Sequence, residues 1–205
     1  MSLKEVDRLL DYFEENIDLD HIRRVERLSY DALHFRDVPY LPLTIRTAPE
    51  GFDSYPLIDA YNDPEKMLYN ELLNSTFHSP YNSVRTKDHC ALQIRSNHGI
   101  GILASLFGCK SSIINNEMPW VTHMPLEEAK KVFGNGVPEL NSALGKTVVE
   151  TYQYYHQRLK DYPITYESVR ITQPDMQGPF DIFHLVVGNE CFLLTYDDPH
   201  FWDPQ

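Results

Sequence analysis

The chain has 205 residues and a formal net charge of −12, from 30 Asp and Glu against 18 Lys and Arg. Nucleic-acid binding draws on a basic surface that neutralises phosphates, so this balance argues against it, and it disfavours docking on anionic membranes. A hydrophobic content of 42% and a charged content of 23% are ordinary for a globular protein with one sizeable core.

Residues 2–17 place Val6, Leu9, Leu10, Phe13 and Ile17 at helical spacing with acids opposite. This start is charged and amphipathic rather than signal-like, and no apolar run approaches the roughly 20 residues of a membrane span. A second helix is predicted over about 19–35, after the capping signal Asp18-Leu19-Asp20, with Ile22, Val25, Leu28 and Leu33 inward. Pro39 and Pro42 force extended chain, and Leu43-Thr44-Ile45 is predicted as a first strand. Residues 47–62 read as loop with a short helix. Pro64 opens the next helix, with Asp63 as cap and Met67, Leu68 and Leu72 inward.

Ala91–Ser96 is predicted as a strand, followed by a glycine turn and an apolar helix over 101–107. Ser111–Ile114 is a further short strand. Pro125 opens a helix to about Phe133, and a long helix is expected over about 138–161, with Leu140, Leu144, Val148, Tyr152, Tyr155 and Leu159 on one stripe. Val169–Thr172 is a strand that breaks at Pro174, and an amphipathic helix starts at Pro179. Strands alternating with helices predict an α/β fold with a parallel sheet, in a single domain over 1–205. The three cysteines, Cys90, Cys109 and Cys191, lie far apart with no paired spacing, which fits reduced thiols and a cytoplasmic location.

In α/β folds the loops leaving the C-terminal ends of strands usually carry the chemistry. Asp175, Gln177 and Asp181 crowd one such loop, QPDMQGPFD (173–181). Asp175 leaves a strand end with no helix to cap, whereas Asp181 in the first turn of a helix is equally explained by the helix dipole. Gln177 is suited to orienting a carboxylate or amide, or to satisfying the loop's own backbone. The second such loop is Asn97-His98-Gly99-Ile100-Gly101, whose glycines permit positive φ and close approach to a ligand, or simply a tight turn. Its spacing is not a dinucleotide fingerprint. Arg46 and Arg95, near predicted strand ends, are placed to meet carboxylates or to form plain surface ion pairs. Trp120 follows Met118-Pro119 and would cover a flat ligand or plug one end of the fold. Nine histidines form no HExxH, H-x-C or CxxC pattern, so no metal ligand is assigned.

Taken in order, DPEKML (63–68), SNHGIGILASLFGC (96–109), MPWV (118–121), LGKTVVETYQYYHQRL (144–159) and QPDMQGPFDIFHLVVG (173–188) resemble the uroporphyrinogen decarboxylase superfamily, and most closely its uncharacterised corrinoid-dependent methyltransferase-like branch. The resemblance implies a TIM-type (β/α)8 barrel with an N-terminal helical extension (1–36), of which residues 37–205 would be the N-terminal part, about half a barrel. A closed barrel takes about 250 residues, and the first 80 or so here read as helix and loop. The resemblance further implies catalytic roles for His98 and Asp175, with Asn97, Gly99, Arg95, Gln177, Asp181 and Trp120 around a small-molecule substrate. It places zinc and corrinoid only in a full-length relative, the corrinoid on a partner protein, and no cofactor within this chain.

The decarboxylase's own motifs fail: Arg23, Arg24 and Arg27 sit on a predicted helix without its glycine-containing loop, Asn97 to Gly99 replace its key aspartate, and its tyrosine falls at about Leu185. Three function classes therefore stand: methyl transfer, decarboxylation of a tetrapyrrole or smaller acid, and a non-catalytic half-barrel that self-associates or docks on a partner subunit. An open sheet must bury its edge, so a homo-oligomer is expected.

Overall fold

The computed structural model describes residues 4–75 and 78–202 of a mixed α/β protein. In chain order come α1 (Lys4–Asn16), α2 (Leu19–Leu33), α3 (Leu57–Tyr61), α4 (Pro64–Asn74), α5 (Pro80–Thr86), β1 (Gln93–Arg95), α6 (Ile102–Leu106) and β2 (Lys110–Ser112). There follow β3 (Trp120–Thr122), α7 (Leu126–Phe133), α8 (Ala143–Leu159), α9 (Pro163–Ser168), β4 (Arg170–Thr172), α10 (Pro179–Val187), α11 (Glu190–Asp197) and a 3-10 turn at Pro199–Trp202. The chain gathers into two compact units: the first runs through Asn97 and includes Thr151–Gln173, and the second holds His98–Glu150 and the chain from Pro174 onward. Among the described residues no helix is long and apolar enough to cross a membrane. All three cysteines are free thiols, with Cys109 and Cys191 buried.

In the first unit the stripe read on α1 is the core: Val6, Leu9, Leu10 and Phe13 are each 1% exposed or less. They share one apolar cluster with Met67, Leu68, Leu72 and Leu73 of α4 and with Tyr155 and Leu159 of α8. The caps explain where these helices start. The Asp18 carboxylate accepts from His21 N, and Asp63 accepts from Glu65 N and Lys66 N ahead of Pro64. A further cap comes from a distant element. Glu14 of α1 accepts from Ile164 N, Thr165 N and Thr165 Oγ1 at 2.9 Å each, satisfying the first turn of α9. Glu14→Ala is expected to cost about 2 kcal/mol in urea-induced unfolding, because it strands three donors at once.

Strand β1 pairs with β4 in parallel, Gln93 opposite Arg170, Ile94 opposite Ile171 and Arg95 opposite Thr172. Both strands fall where alternation places them, and their direction is the one that alternating elements require.

The extended segment at Leu43–Ile45 is the clearest correction in this unit. It forms no ladder, and Leu43 is 62% exposed. Its hydrogen bonds go to one loop instead: His89 N donates to Leu43 O, Leu43 N to His89 Nδ1, and Ile45 N to Asp88 Oδ2. Pro39 and Pro42 supply extended conformation but remove donors, so side-chain acceptors replace a neighbouring strand. Leu33, expected inward on α2, is 77% exposed, since the buried stripe of that helix ends at Leu28.

In the second unit β2 and β3 form an antiparallel pair, Lys110 opposite Thr122 and Ser112 opposite Trp120. Ser111–Ile114 was expected as a separate strand, and β3 was not foreseen. The turn is made by Asn115 and Asn116, with φ of 55° and 57°, and Glu117 N donates to Ile114 O at 3.0 Å. Two successive positive φ values are the signature of a type I′ hairpin turn, and asparagine tolerates them best after glycine. Helix α10 is the centre of this unit. Its Phe183, Leu185, Val186 and Val187 are buried with Ala104, Val121, Ala129, Cys191 and Leu194.

Helix α8 starts at Ala143 rather than near residue 138, and Leu140 is 61% exposed. Gly136 (φ 85°) and Ala143 (φ 43°) interrupt the helical backbone there, and the Ser142 hydroxyl donates to Glu139 O. Of its expected stripe, Val148, Tyr155 and Leu159 are buried. Helices α5, α9 and α11 are each eight residues or shorter, too brief for a periodic signal, although Ser79-Pro80 is a visible N-cap before α5.

Candidate functional site

The polar residues that the first unit brings together lie at the C-terminal end of β1. Asp63 sets the start of α4 so that Met67 and Glu71, one turn apart, face inward. Glu71 is only 2% exposed. Its Oε2 accepts from Arg95 N at 3.2 Å and its Oε1 from Asn97 Nδ2 at 3.0 Å. Asn97 N in turn points at Met67 Sδ, 3.2 Å away. On the neighbouring strand Thr172 Oγ1 donates to Ile94 O at 3.2 Å, and the Tyr152 hydroxyl donates to Thr172 O. Tyr155, fully buried, reaches Arg95 O at 3.4 Å.

Burial pushes the Glu71 carboxyl up to about 7, against the opposing pull of the Arg95 N–H, the Asn97 amide and the Arg95 charge. Burial likewise raises the Tyr152 phenol to about 12, so it stays a neutral donor. A carboxyl poised near neutrality can hold or release a proton at working pH. The asparagine amide then fixes which carboxyl oxygen faces it.

Two of the residues singled out from the sequence, Arg95 and Asn97, meet here through Glu71. Glu71, Tyr152 and Thr172 were missed. The signal for Glu71 was present, an acid on the same helical face as Met67, Leu68 and Leu72.

The other sequence candidates, apart from Arg46 in the first unit, belong to the second unit. Gln177 Nε2 donates to Asp175 Oδ1 at 3.4 Å, and both side chains are half-buried. Asp181 is exposed in the first turn of α10, folded back over Gly178, where an added Cβ would lie 3.3 Å from its Oδ2. His98 is 1% exposed and Trp120 on β3 is 56% exposed. Gly99 adopts φ 74°, and an added Cβ would stand 3.0 Å from Pro119 Cγ. At Gly101 the same test meets Val121 Cγ2 at 2.5 Å. The close approach made at these two glycines is therefore that of the chain's own β3 segment.

No family model, curated protein or solved structure matches this chain.

Proposed function

We propose that the chain is the N-terminal part of a (β/α)8 barrel of the uroporphyrinogen decarboxylase superfamily, in its methyltransferase-like branch, and that it acts on a small molecule at the C-terminal ends of β1 and β4. The observation that carries this reading is the buried Glu71 carboxyl held by Arg95 N and Asn97 Nδ2 at the end of a parallel strand. In this reading Glu71 holds or accepts a proton, Asn97 orients it, and the Tyr152 hydroxyl stays a neutral donor beside them. From the resemblance alone, His98 and Asp175 in the second unit are proposed as catalytic, and Gly99, Gln177, Asp181 and Trp120 as substrate-binding. The protein is cytoplasmic in this proposal and assembles with itself, a view supported by the exposed Leu33 and Phe35.

Zinc, which the resemblance attaches to the branch, does not fit the residues described: among them no three His, Cys, Asp or Glu side chains gather around one position. The corrinoid, brought by a partner protein, is a substrate in this proposal.

The test is anaerobic incubation with methylcobalamin and a small thiol. Transfer of the methyl group to the thiolate sulfur breaks the cobalt–carbon bond, leaves the electron pair on cobalt and releases the thiol proton. The expected result is a thioether together with the absorbance of the reduced corrinoid, slowed at least about tenfold in Glu71→Gln, the usual scale for losing a positioned acid–base group. Absence of thioether, with uroporphyrinogen decarboxylated instead, would overturn it. That second reading is disfavoured because the charges of Arg23 and Arg27 are offset by Asp20, Glu167 and Asp31.

A further inference from the structure

We propose that His89 makes residues 40–46 a proton-released strap, closed while its imidazole is neutral and slackened when the ring takes up a second proton. The strap lies within the first unit, across the loop between α5 and β1. Three hydrogen bonds hold its middle. His89 N donates to Leu43 O at 2.8 Å, Leu43 N donates to His89 Nδ1 at 3.1 Å, and Ile45 N donates to Asp88 Oδ2 at 2.7 Å.

The second of these bonds dictates a protonation state. A backbone N–H can only donate, so Nδ1 must present its lone pair, and the ring proton must sit on Nε2. Adding a proton to Nδ1 turns the acceptor into a donor facing a donor, and the bond is lost. An imidazole is the side chain whose ordinary titration range makes such a change between about pH 5 and 8. The other two bonds use a carbonyl and a carboxylate rather than the imidazole as acceptor, so the strap loosens at Leu43 first.

Charged and titratable groups face the device from several elements, among them Cys90, beside Thr44, Arg46 and Asp88, and His78, facing Arg46 and Asp88. From α2 and the residue before it come His21, whose ring lies 6.4 Å from His89, and Asp18, which faces Lys87 at 3.9 Å. From the loop come Lys87 and Asp88, and from the strap Tyr40, its ring 5.1 Å from His89, and Arg46. His21 Nε2 lies 2.9 Å from Asp88 O, a carbonyl that only accepts, so His21 carries its proton on that nitrogen and a second protonation leaves the bond intact. His89 is thus the one of this pair whose charging costs the strap a bond. Asp88 is 5% exposed and is also occupied by Cys90 N at Oδ1, so it remains a fixed anchor for Ile45. Leu41 and Leu43 are 79% and 62% exposed, so little apolar contact opposes the release.

The experiment is amide exchange and ¹H–¹⁵N NMR on the intact chain from pH 8 to pH 5, corrected for intrinsic exchange. Protection of the Leu43 amide is expected to fall about tenfold, the size of one net hydrogen bond, with a midpoint equal to that of the His89 Cε1–H resonance. The Ile45 amide should change less. His89→Gln, whose carboxamide oxygen accepts at every pH, should flatten the Leu43 profile, and His21→Gln should leave it titrating. Unchanged Leu43 protection, a midpoint different from that of the His89 ring, or an equal fall in His89→Gln would each overturn the proposal. None of these readouts depends on the methyl-transfer activity.

Discussion

Glu71→Gln is expected to make the folded protein more stable at pH 8 and to flatten its stability between about pH 5 and pH 8. The reason is the direction in which burial moves Glu71. In the folded state burial raises this carboxyl from 4.5 to about 7, while in the unfolded chain it returns to its ordinary value. A raised acid favours the folded state fully below pH 4.5, where both states are protonated, and that advantage is lost as the pH climbs through about 7. Across the window the loss is on the order of 3 kcal/mol, because each tenfold change in proton affinity is worth about 1.4 kcal/mol. Glutamine has the shape and charge of the protonated side chain, so it keeps one acceptor for Arg95 N or Asn97 Nδ2 without the cost of a buried charge. Urea unfolding of both proteins at pH 5, 6, 7 and 8 decides it. Parallel stability profiles would mean that Glu71 does not titrate in this window, and its role as a proton holder at the end of β1 would fall with it. Glu71→Ala is the contrast: it leaves the Arg95 N–H and the Asn97 amide without the carboxylate and should destabilise at every pH by about 1–3 kcal/mol.

The second large effect concerns the turn after β1. Gly101→Ala should cost about 2–3 kcal/mol, the range for overpacking a tight contact. Its backbone is ordinary, with φ of −79°, so alanine meets no conformational penalty there. The cost is steric: the new methyl would lie 2.5 Å from Val121 Cγ2 and 3.3 Å from Ser111 Oγ. Valine is stiff at χ1 and cannot swing aside without strain. Adding Val121→Ala should therefore recover part of the loss, so that the double variant is more stable than the sum of the two single changes predicts. Additive losses, measured by the same urea method, would show that β3 does not press on the turn. The result also bears on function. A glycine needed for the approach of a ligand would leave stability almost untouched when replaced and would instead reduce binding.

How legible these features were depends on the distance over which each is decided. Amphipathic stripes and caps are local. Val6, Leu9, Leu10 and Phe13 repeat at helical spacing, and Asp63-Pro64 and Asp18 announce the starts of their helices within four residues. Those readings needed only the period of a helix and the donors at its first turn. The strand end at Thr172 was placed, and that of β1 within one residue, for similar reasons, by β-branched or alternating residues stopped by a turn. Short elements were less visible. The hairpin of β2 and β3 could have been read from Asn115-Asn116, but three-residue strands carry almost no alternation.

The candidate site divides along the same line. Asn97 was legible because it follows a strand end, and strand ends are a sequence-level pattern, whereas Arg95 meets Glu71 through its backbone N–H rather than the expected guanidinium. What Asn97 touches was not legible. Its partner, Glu71, lies 26 residues away on a helix whose face reads as core.

From its residues alone this protein determined its acidic balance, the inward faces of its main helices, their caps and the alternation of strand and helix, since each is settled by neighbours within a few turns of chain. Only tertiary packing decided that β1 lies beside β4, that Leu43–Ile45 is a strap rather than a strand, that Glu71 is buried against Arg95 and Asn97, and that Gly101 makes room for Val121. Hydrogen bonds and burial join groups tens of residues apart, and no local period records which distant donor or methyl group will arrive.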